Sequence, residues 1–252
     1  MDTRTILWAR HQPLEAKPPG WEGHGYTLHI TNKNYSSWSL RPWVLMRACG
    51  IAFTEVLHPF TPGSAPDFRE ISPAGKVPWL VDGDTVIWDS LAITEYLAEH
   101  HPGVWPTDAA ARAWARCAAA EMHSGFTSLR GQHGMNVGVR VAVAHRSPEL
   151  LADIARIERL WNEGLTRFGG PFLAGKEFSA ADAFFAPVMY RFRTYGVAVS
   201  GAAGDYAQTL LAHPAMQAWE AAALAEDFRD PPHEDELALI GTVTADLRTP
   251  AR

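Results

Sequence analysis

Residues 100–106, His-His-Pro-Gly-Val-Trp-Pro, divide the chain into two kinds of hydrophobic pattern, and any fold it adopts has to accommodate both. Two prolines and a glycine in so short a run end a helix, because proline lacks the N–H that the helical ladder needs and clashes with the turn before it. Upstream, runs that alternate apolar and polar residues interleave with runs of helical period. Downstream only helical periods recur, over 108–130, 148–168, 180–196, 205–211 and 214–227. The pattern predicts an α/β domain at 26–101, a linker at 102–107, an all-α domain at 108–230 and a loose tail at 231–252.

Within the first half, residues 1–25 hold Pro13, Pro18, Pro19, Gly20, Gly23 and Gly25 and show no period. They read as an irregular N-terminal extension in which Trp8 and Trp21 are the candidate pins to the body. Residues 26–31, Tyr-Thr-Leu-His-Ile-Thr, and 53–58, Phe-Thr-Glu-Val-Leu-His, alternate as half-buried strands do, with a helix-like run stopped by Gly50 between them. A loop at 59–65 and a short helix at 66–70 lead into a strand-like run interrupted by Pro78, which marks it as an edge or an entry to a strand. Asp82-Gly83-Asp84 is a hairpin signal, and Asp89 or Ser90 is a natural cap for the helix that follows.

The stretch with chemical potential is Asn-Tyr-Ser-Ser-Trp-Ser-Leu-Arg-Pro-Trp at 34–43, a strand-to-helix turn carrying three serines. Pro42 belongs in a first helical turn, which predicts a helix starting near Ser39 with Ser39 as its cap and Ser36 and Ser37 just outside it. A helix start offers unpaired N–H groups and partial positive charge, so it favours a thiolate or carboxylate, and a hydroxyl there can donate to that anion. Serines in such a turn also serve simply as turn and capping residues.

Composition removes several alternatives. A net charge of -6 and a pI near 6.0, with no basic tract, argue against nucleic-acid or acidic-membrane binding. No apolar run approaches a bilayer span, so the expectation is a soluble cytoplasmic protein. Two cysteines, Cys49 and Cys117, form neither a disulfide framework nor a Cys-x-x-Cys pair, so thiol chemistry has to use a thiol brought by a ligand. None of the 11 histidines has ligand spacing, and no metal is expected.

Taken in order, the strand, the serine turn, Ala74-Gly75-Lys76-Val77-Pro78-Trp79-Leu80-Val81 and Asp89-Ser90 at a helix start resemble the thioredoxin-like N-terminal domain of cytosolic glutathione S-transferases. The serine turn is most similar to the zeta class, also called maleylacetoacetate isomerases, and to a bacterial branch with Ser-Ser-Trp-Ser-Leu-Arg-Pro-Trp. The resemblance covers about residues 26–228. It implies a mixed four-stranded sheet followed by an all-α domain, glutathione as co-substrate, a homodimer and a detoxifying transferase or isomerase acting on a small electrophile. It also implies that Pro78 is cis and opens the Val77 backbone to the cysteinyl part of glutathione by strand addition. Asp89 and Ser90 would take the γ-glutamyl end, with Trp38 and Lys76 also contacting the tripeptide. Ser37 or Ser36 would hold the thiolate, Ser37 being favoured as nearer the inferred helix start. Tyr35 is a runner-up donor. Trp38 stands where zeta proteins carry cysteine, and Asp89 where Glu or Gln is commoner.

Met122, His123, Phe126, Thr127 and Arg130 fall at helical spacing on the first long helix, whose counterpart in the family lines the second-substrate pocket. Such a stripe is also what a core looks like. Arg130 beside it could clamp a carboxylate. Ser179 and Asp182, three apart before an apolar helix, form a capping box with a structural role. No dedicated histidine adjoins Ser36 and Ser37, which argues against a serine hydrolase. A serine where glutaredoxin-like relatives use cysteine disfavours a reductase. The remaining alternative is a non-catalytic binding or scaffold module of the same fold.

Overall fold

The computed structural model describes residues 25–60, 68–69 and 71–250. The N-terminal extension with Trp8 and Trp21, and most of the helix expected at 66–70, lie outside the described residues.

Strand β1 (Thr27–Ile30) leads through the serine turn into helix α1 (Ser37–Ala48), which returns the chain to β2 (Thr54–Leu57). β2 pairs parallel to β1, Thr27 opposite Thr54. The antiparallel hairpin of β3 (Trp79–Asp82) and β4 (Thr85–Ile87) turns at Gly83, whose φ of 56 suits glycine, and completes a mixed sheet of order β2-β1-β3-β4. Helix α2 (Ser90–His100) packs back on the hairpin. β1 is buried on both faces rather than one. Leu28 and Ile30 meet the core below α1, while His29 stacks on Trp79 with ring centres 4.4 Å apart.

Beyond the linker run α3 (Ala109–Ser124), α4 (Thr127–Gln132), α5 (Pro148–Phe168), α6 (Ala180–Thr194), α7 (Gly201–Ala212) and α8 (Pro214–Ala225). α6 is the axle of the molecule. Its sequence is apolar around nearly the whole circumference, which calls for burial on all sides, and it packs against α1 and α3. Phe184, Phe185, Val188 and Met189 are fully enclosed, at about 1.5–3 kcal/mol each, in a core continuous with the sheet. α3 and α5 approach closely at Gly164. A Cβ there would lie 2.4 Å from both the Leu173 carbonyl oxygen and the Trp114 ring. Gly164→Ala, which helix propensity alone would favour by about 1 kcal/mol, is therefore expected to destabilise by about 1–3 kcal/mol in a urea melt.

Two sequence expectations change. The single helix at 108–130 is two helices, because Gly125 ends α3 and Phe126 turns into the left-handed region (φ 54), burying its ring before α4 begins. The tail is not loose. It forms α9 (Pro231–Ile240) and β6 (Gly241–Asp246), and β6 pairs antiparallel with β5 (Val139–Val143), adding a two-stranded ladder to the helical domain.

Candidate active site

The serine turn is assembled from both ends of the chain. Asn32 O accepts the Tyr35 and Ser36 N–H groups at 3.2 and 3.0 Å and closes the turn. Glu226 accepts from Lys33 N (2.7 Å) and Asn34 N (3.2 Å), Trp219 Nε1 donates to Lys33 O (3.0 Å), and Gly138 N donates to Asn34 Oδ1 (2.9 Å). Tyr35 Oη donates to Glu234 Oε1 (2.7 Å) and accepts from Arg248 Nη1 (3.2 Å). Arg248 in turn forks onto Glu234 and Asp246. Burial pushes the Tyr35 phenol up, and the Glu234 hydrogen bond adds to it. Its proton is thus committed to Glu234, which removes Tyr35 as a thiolate donor.

The helix starts earlier than Pro42 suggests. Ser36, not Ser39, is the cap. Its Oγ accepts from Ser39 N (3.3 Å) and donates to Ser39 Oγ (2.7 Å), so its hydroxyl is used up inside the turn. Pro42 sits inside α1 at the cost of one ladder bond. Ser37 is the first helical residue, and its Oγ accepts from Arg191 Nη2 at 3.2 Å. Among the described residues its own proton has no acceptor.

Ser37 lines a cavity of about 560 Å³ with Trp38, His123, Thr127, Arg130 and Arg191. Trp38 is its floor. The Arg41 and Arg130 guanidinium carbons lie 4.1 and 4.5 Å from the Trp38 ring centre, and His123 meets that ring edge-on at 5.4 Å. Arg41 is 2% exposed, wedged between Trp38 and Phe184, with Nε and Nη1 unpartnered. Burial, then Arg130 and Arg191, push its pKa down to about 9, against Asp89. Burial likewise pushes Arg191 down to about 10. Both remain cationic at neutral pH, and neither has a carboxylate at ion-pair distance among the described residues. Arg130 Nη1 donates to the carbonyls of His123 (3.1 Å) and Gly125 (3.4 Å), closing the end of α3. The arrangement is electropositive, carries an aromatic ring and offers the Ser37 hydroxyl beside that of Thr127, which suits an anion.

His123 is held by Asp89, Nε2 to Oδ2 at 3.2 Å, with Nδ1 buried and unpartnered. Burial lowers its pKa, opposed by Asp89 and helped by Arg41 and Arg130. The fold thus brings to the serine turn a histidine that sequence proximity did not offer. No Ser37–His123 hydrogen bond is present among the described residues, so no nucleophilic serine–base pair is formed.

Met122 and Phe126 do not line this cavity. They are 1% and 7% exposed in the core, since the break at Gly125 and Phe126 turns the expected helical stripe away and leaves only His123, Thr127 and Arg130 facing the opening. Of the residues expected to hold the tripeptide, Trp38 lines this cavity and Asp89 reaches it through His123, whereas Lys76, Val77, Pro78 and Ser90 are not among its lining residues. Val77–Pro78 is cis. Val77 packs with Phe228 on Tyr35, Phe60 and Phe68, and the Lys76 backbone is braced by Ser72 Oγ. Asp89 caps α2, Oδ1 accepting from Leu91 N (2.9 Å) and Ala92 N (3.4 Å). Ser90 Oγ is fully buried and unpartnered. Sequence reasoning missed Arg41 and Arg191. The available signals were the four-residue spacing of Arg41 from Ser37 and, in the last turn of the otherwise apolar α6, an arginine that is buried. Among the described residues no group of His, Cys, Asp and Glu is placed to hold a metal ion, and no helix is long and apolar enough to cross a membrane.

A four-stranded mixed sheet with a cis-proline loop, a serine turn and a helical domain behind it defines the glutathione S-transferase fold. The sequence profile of the glutathione S-transferase N-terminal domain matches residues 35–100, and that of the C-terminal domain matches 142–222. The chain is 31% identical over 164 residues to a stringent starvation protein A homolog of Pasteurella multocida, covering 63% of this chain and 72% of that protein. It is 31% identical over 160 residues to a zeta class glutathione S-transferase of Euphorbia esula, covering 62% and 71%. It is also 31% identical over 141 residues to a probable maleylacetoacetate isomerase of Caenorhabditis elegans, covering 52% and 63%. Its fold matches that of a glutathione transferase homolog from Burkholderia GL BGR1 with bound glutathione, at TM-score 0.61 and 22% identity, over 79% of this chain and 98% of that one. The chain belongs to the glutathione S-transferase family.

Proposed function

We propose that the protein is a glutathione-dependent transferase in which the Ser37 hydroxyl donates to the thiolate of bound glutathione for attack on, or isomerisation of, a small electrophile. The observation that carries this reading is the uncommitted Ser37 proton, at the first turn of α1 and on the wall of a cavity that also holds Arg130 and Arg191. A hydrogen bond to a charged sulfur contributes about 1.5–3 kcal/mol and a helix start about 0.3–1, enough to bring a thiol from a pKa of about 8.5 toward 6.5. Ser36, spent on the cap, has no such role.

In this reading the tripeptide adds along the loop of Lys76, Val77 and Pro78. Its γ-glutamyl carboxylate meets the α2 start, where the unpartnered Ser90 hydroxyl waits, and Asp89 faces its ammonium. Arg130 and the other guanidinium groups around Trp38 favour an electrophile that carries a carboxylate. A cytoplasmic homodimer with a detoxifying role completes the proposal. Titration calorimetry tests it. A saturable heat is expected with glutathione in the micromolar-to-millimolar range, and silence at millimolar ligand would sink the enzyme.

A second reading, a binding module of the same fold with little catalysis, is favoured by the packing of Phe228 on the cluster of Tyr35, Phe60 and Phe68 that Val77 also joins, close to where the tripeptide would add. Relatives named stringent starvation protein A homologs are compatible with it. The same calorimetry separates the two, because only the transferase reading requires glutathione to bind.

A further inference from the structure

Arg191 is a guanidinium in the last turn of α6, the most buried of the described helices. It is 5% exposed, and no carboxylate lies at ion-pair distance among the described residues. A fold with no use for that charge would do better with an apolar residue there. Its contacts show where the charge is aimed. Nη1 donates to the carbonyl oxygens of His133 and, at 3.3 Å, Arg130, which fixes the plane of the group. Nη2 then donates to Ser37 Oγ at 3.2 Å, across 154 residues of sequence.

Arginine has five donors and no acceptor, so in this bond Ser37 can only be the acceptor. One lone pair of Oγ is thereby occupied, and the serine proton has to be donated elsewhere. No protein acceptor takes it among the described residues, and Ser37 borders the cavity. Ser36, one residue earlier, is the contrast, since its proton goes to Ser39. We propose that Arg191 is a positioning residue for Ser37: it turns the hydroxyl toward the cavity and polarises it, so that Ser37 presents a strengthened donor to an anion bound there. This rests on the reading of Ser37 as the thiolate donor. No covalent step is involved. The thiol proton of glutathione leaves to solvent, and Ser37 keeps its own. Accepting one hydrogen bond strengthens the next one donated, and a positive charge beyond the hydroxyl adds to that.

The test is a cycle read by the ultraviolet absorbance of bound glutathione thiolate against pH, in wild type, Ser37→Ala, Arg191→Met and the double variant. Arg41, Arg130, His123 and Asp89, the other titratable groups around the cavity, are unchanged throughout. Arg191→Met is expected to raise the apparent pKa of the bound thiol by about one unit. Ser37→Ala is expected to raise it at least as far, and the double variant no further than Ser37→Ala. If the Arg191→Met shift persists undiminished in the Ser37→Ala background, the guanidinium acts on the sulfur directly and the proposal is overturned.

A second arm needs neither glutathione nor a folded Arg191 variant. In Ser37→Cys, the pH dependence of iodoacetamide alkylation, corrected for Cys49 and Cys117 with wild-type protein, is expected to give the new thiol a pKa at least one unit below about 8.5. An ordinary or raised value would overturn the contact between Arg191 and position 37. If Ser37→Ala leaves the bound thiol unshifted while this arm succeeds, the thiolate reading of Ser37 fails, the proposed role falls with it, and the contact alone stands.

Discussion

Replacing Ser37 with alanine is expected to raise the apparent pKa of bound glutathione by about one to two units, since one hydrogen bond to a charged group contributes about 1.5–3 kcal/mol and each unit corresponds to about 1.4 kcal/mol. If the wild-type value is about 6.5, roughly three quarters of the bound tripeptide is thiolate at pH 7, and the variant retains only about 3–25%. The turnover of an electrophile at pH 7 should fall by about 3- to 25-fold, with little change in the glutathione concentration needed for half-saturation. The pH profile fixes the sign. Activity climbs as pH rises through the pKa of the complex, so the variant's climb moves to higher pH and its deficit shrinks by pH 9. Ser36→Ala is the control. It should lose about 1 kcal/mol of stability as a lost cap and leave the thiolate pKa in place. A Ser36→Ala shift as large as that of Ser37→Ala would contradict the assignment of the two hydroxyls.

The second large effect is on stability. Asp182 is fully buried at the start of α6, with Oδ2 accepting from Ser179 N (2.9 Å) and Ser179 Oγ (3.2 Å) and Oδ1 from Leu173 N (3.0 Å). Asp182→Ala leaves two buried backbone donors unpaired, at about 1–3 kcal/mol each, besides a lost capping box, so a loss of about 3–5 kcal/mol is expected. For a chain of this size that lowers the melting temperature by about 10 °C. Burial pushes the Asp182 carboxyl up to about 6, above an unfolded value of about 4. A group with a raised folded pKa contributes fully below its unfolded pKa, and the contribution is lost as pH rises through the folded one. The gap between wild type and Asp182→Ala should therefore narrow from pH 5 to pH 8. A calorimetric melt that finds less than about 1 kcal/mol between them would show that the box is not the keystone of α6.

Where information was local, the sequence carried it. α5 occupies the expected 148–168 because Ser147 caps it, Pro148 opens it and Gly169, left-handed with φ 79, stops it, all within reach of the helix itself. The hairpin at Gly83 and the capping box at Ser179 were legible for the same reason. What was lost depended on partners far along the chain. β5 and β6 find each other across about a hundred residues, so each alone looks like weak pattern. The break between α3 and α4 depends on Phe126 accepting a left-handed backbone to bury its ring, a bargain set by the core around it. At the site, Pro42 suggested a late helix start, whereas the hydroxyl pair of Ser36 and Ser39 sets an early one. The guanidinium on Ser37 comes from α6, and no spacing rule connects the two.

The bond from Arg248 to Tyr35 joins residues 213 positions apart, and the Tyr35 hydroxyl also depends on Glu234. During synthesis at about 5–20 residues per second, the first strand and helix exist for some 10 to 40 s before the groups that lock their connecting turn have been made. The sheet can assemble early, but the loop that follows its first strand is finished late. A nascent chain stalled before residue 230 should hold a nearly complete scaffold in which the loop has its contacts to Gly138, Trp219 and Glu226 but the Tyr35 side chain is still unanchored.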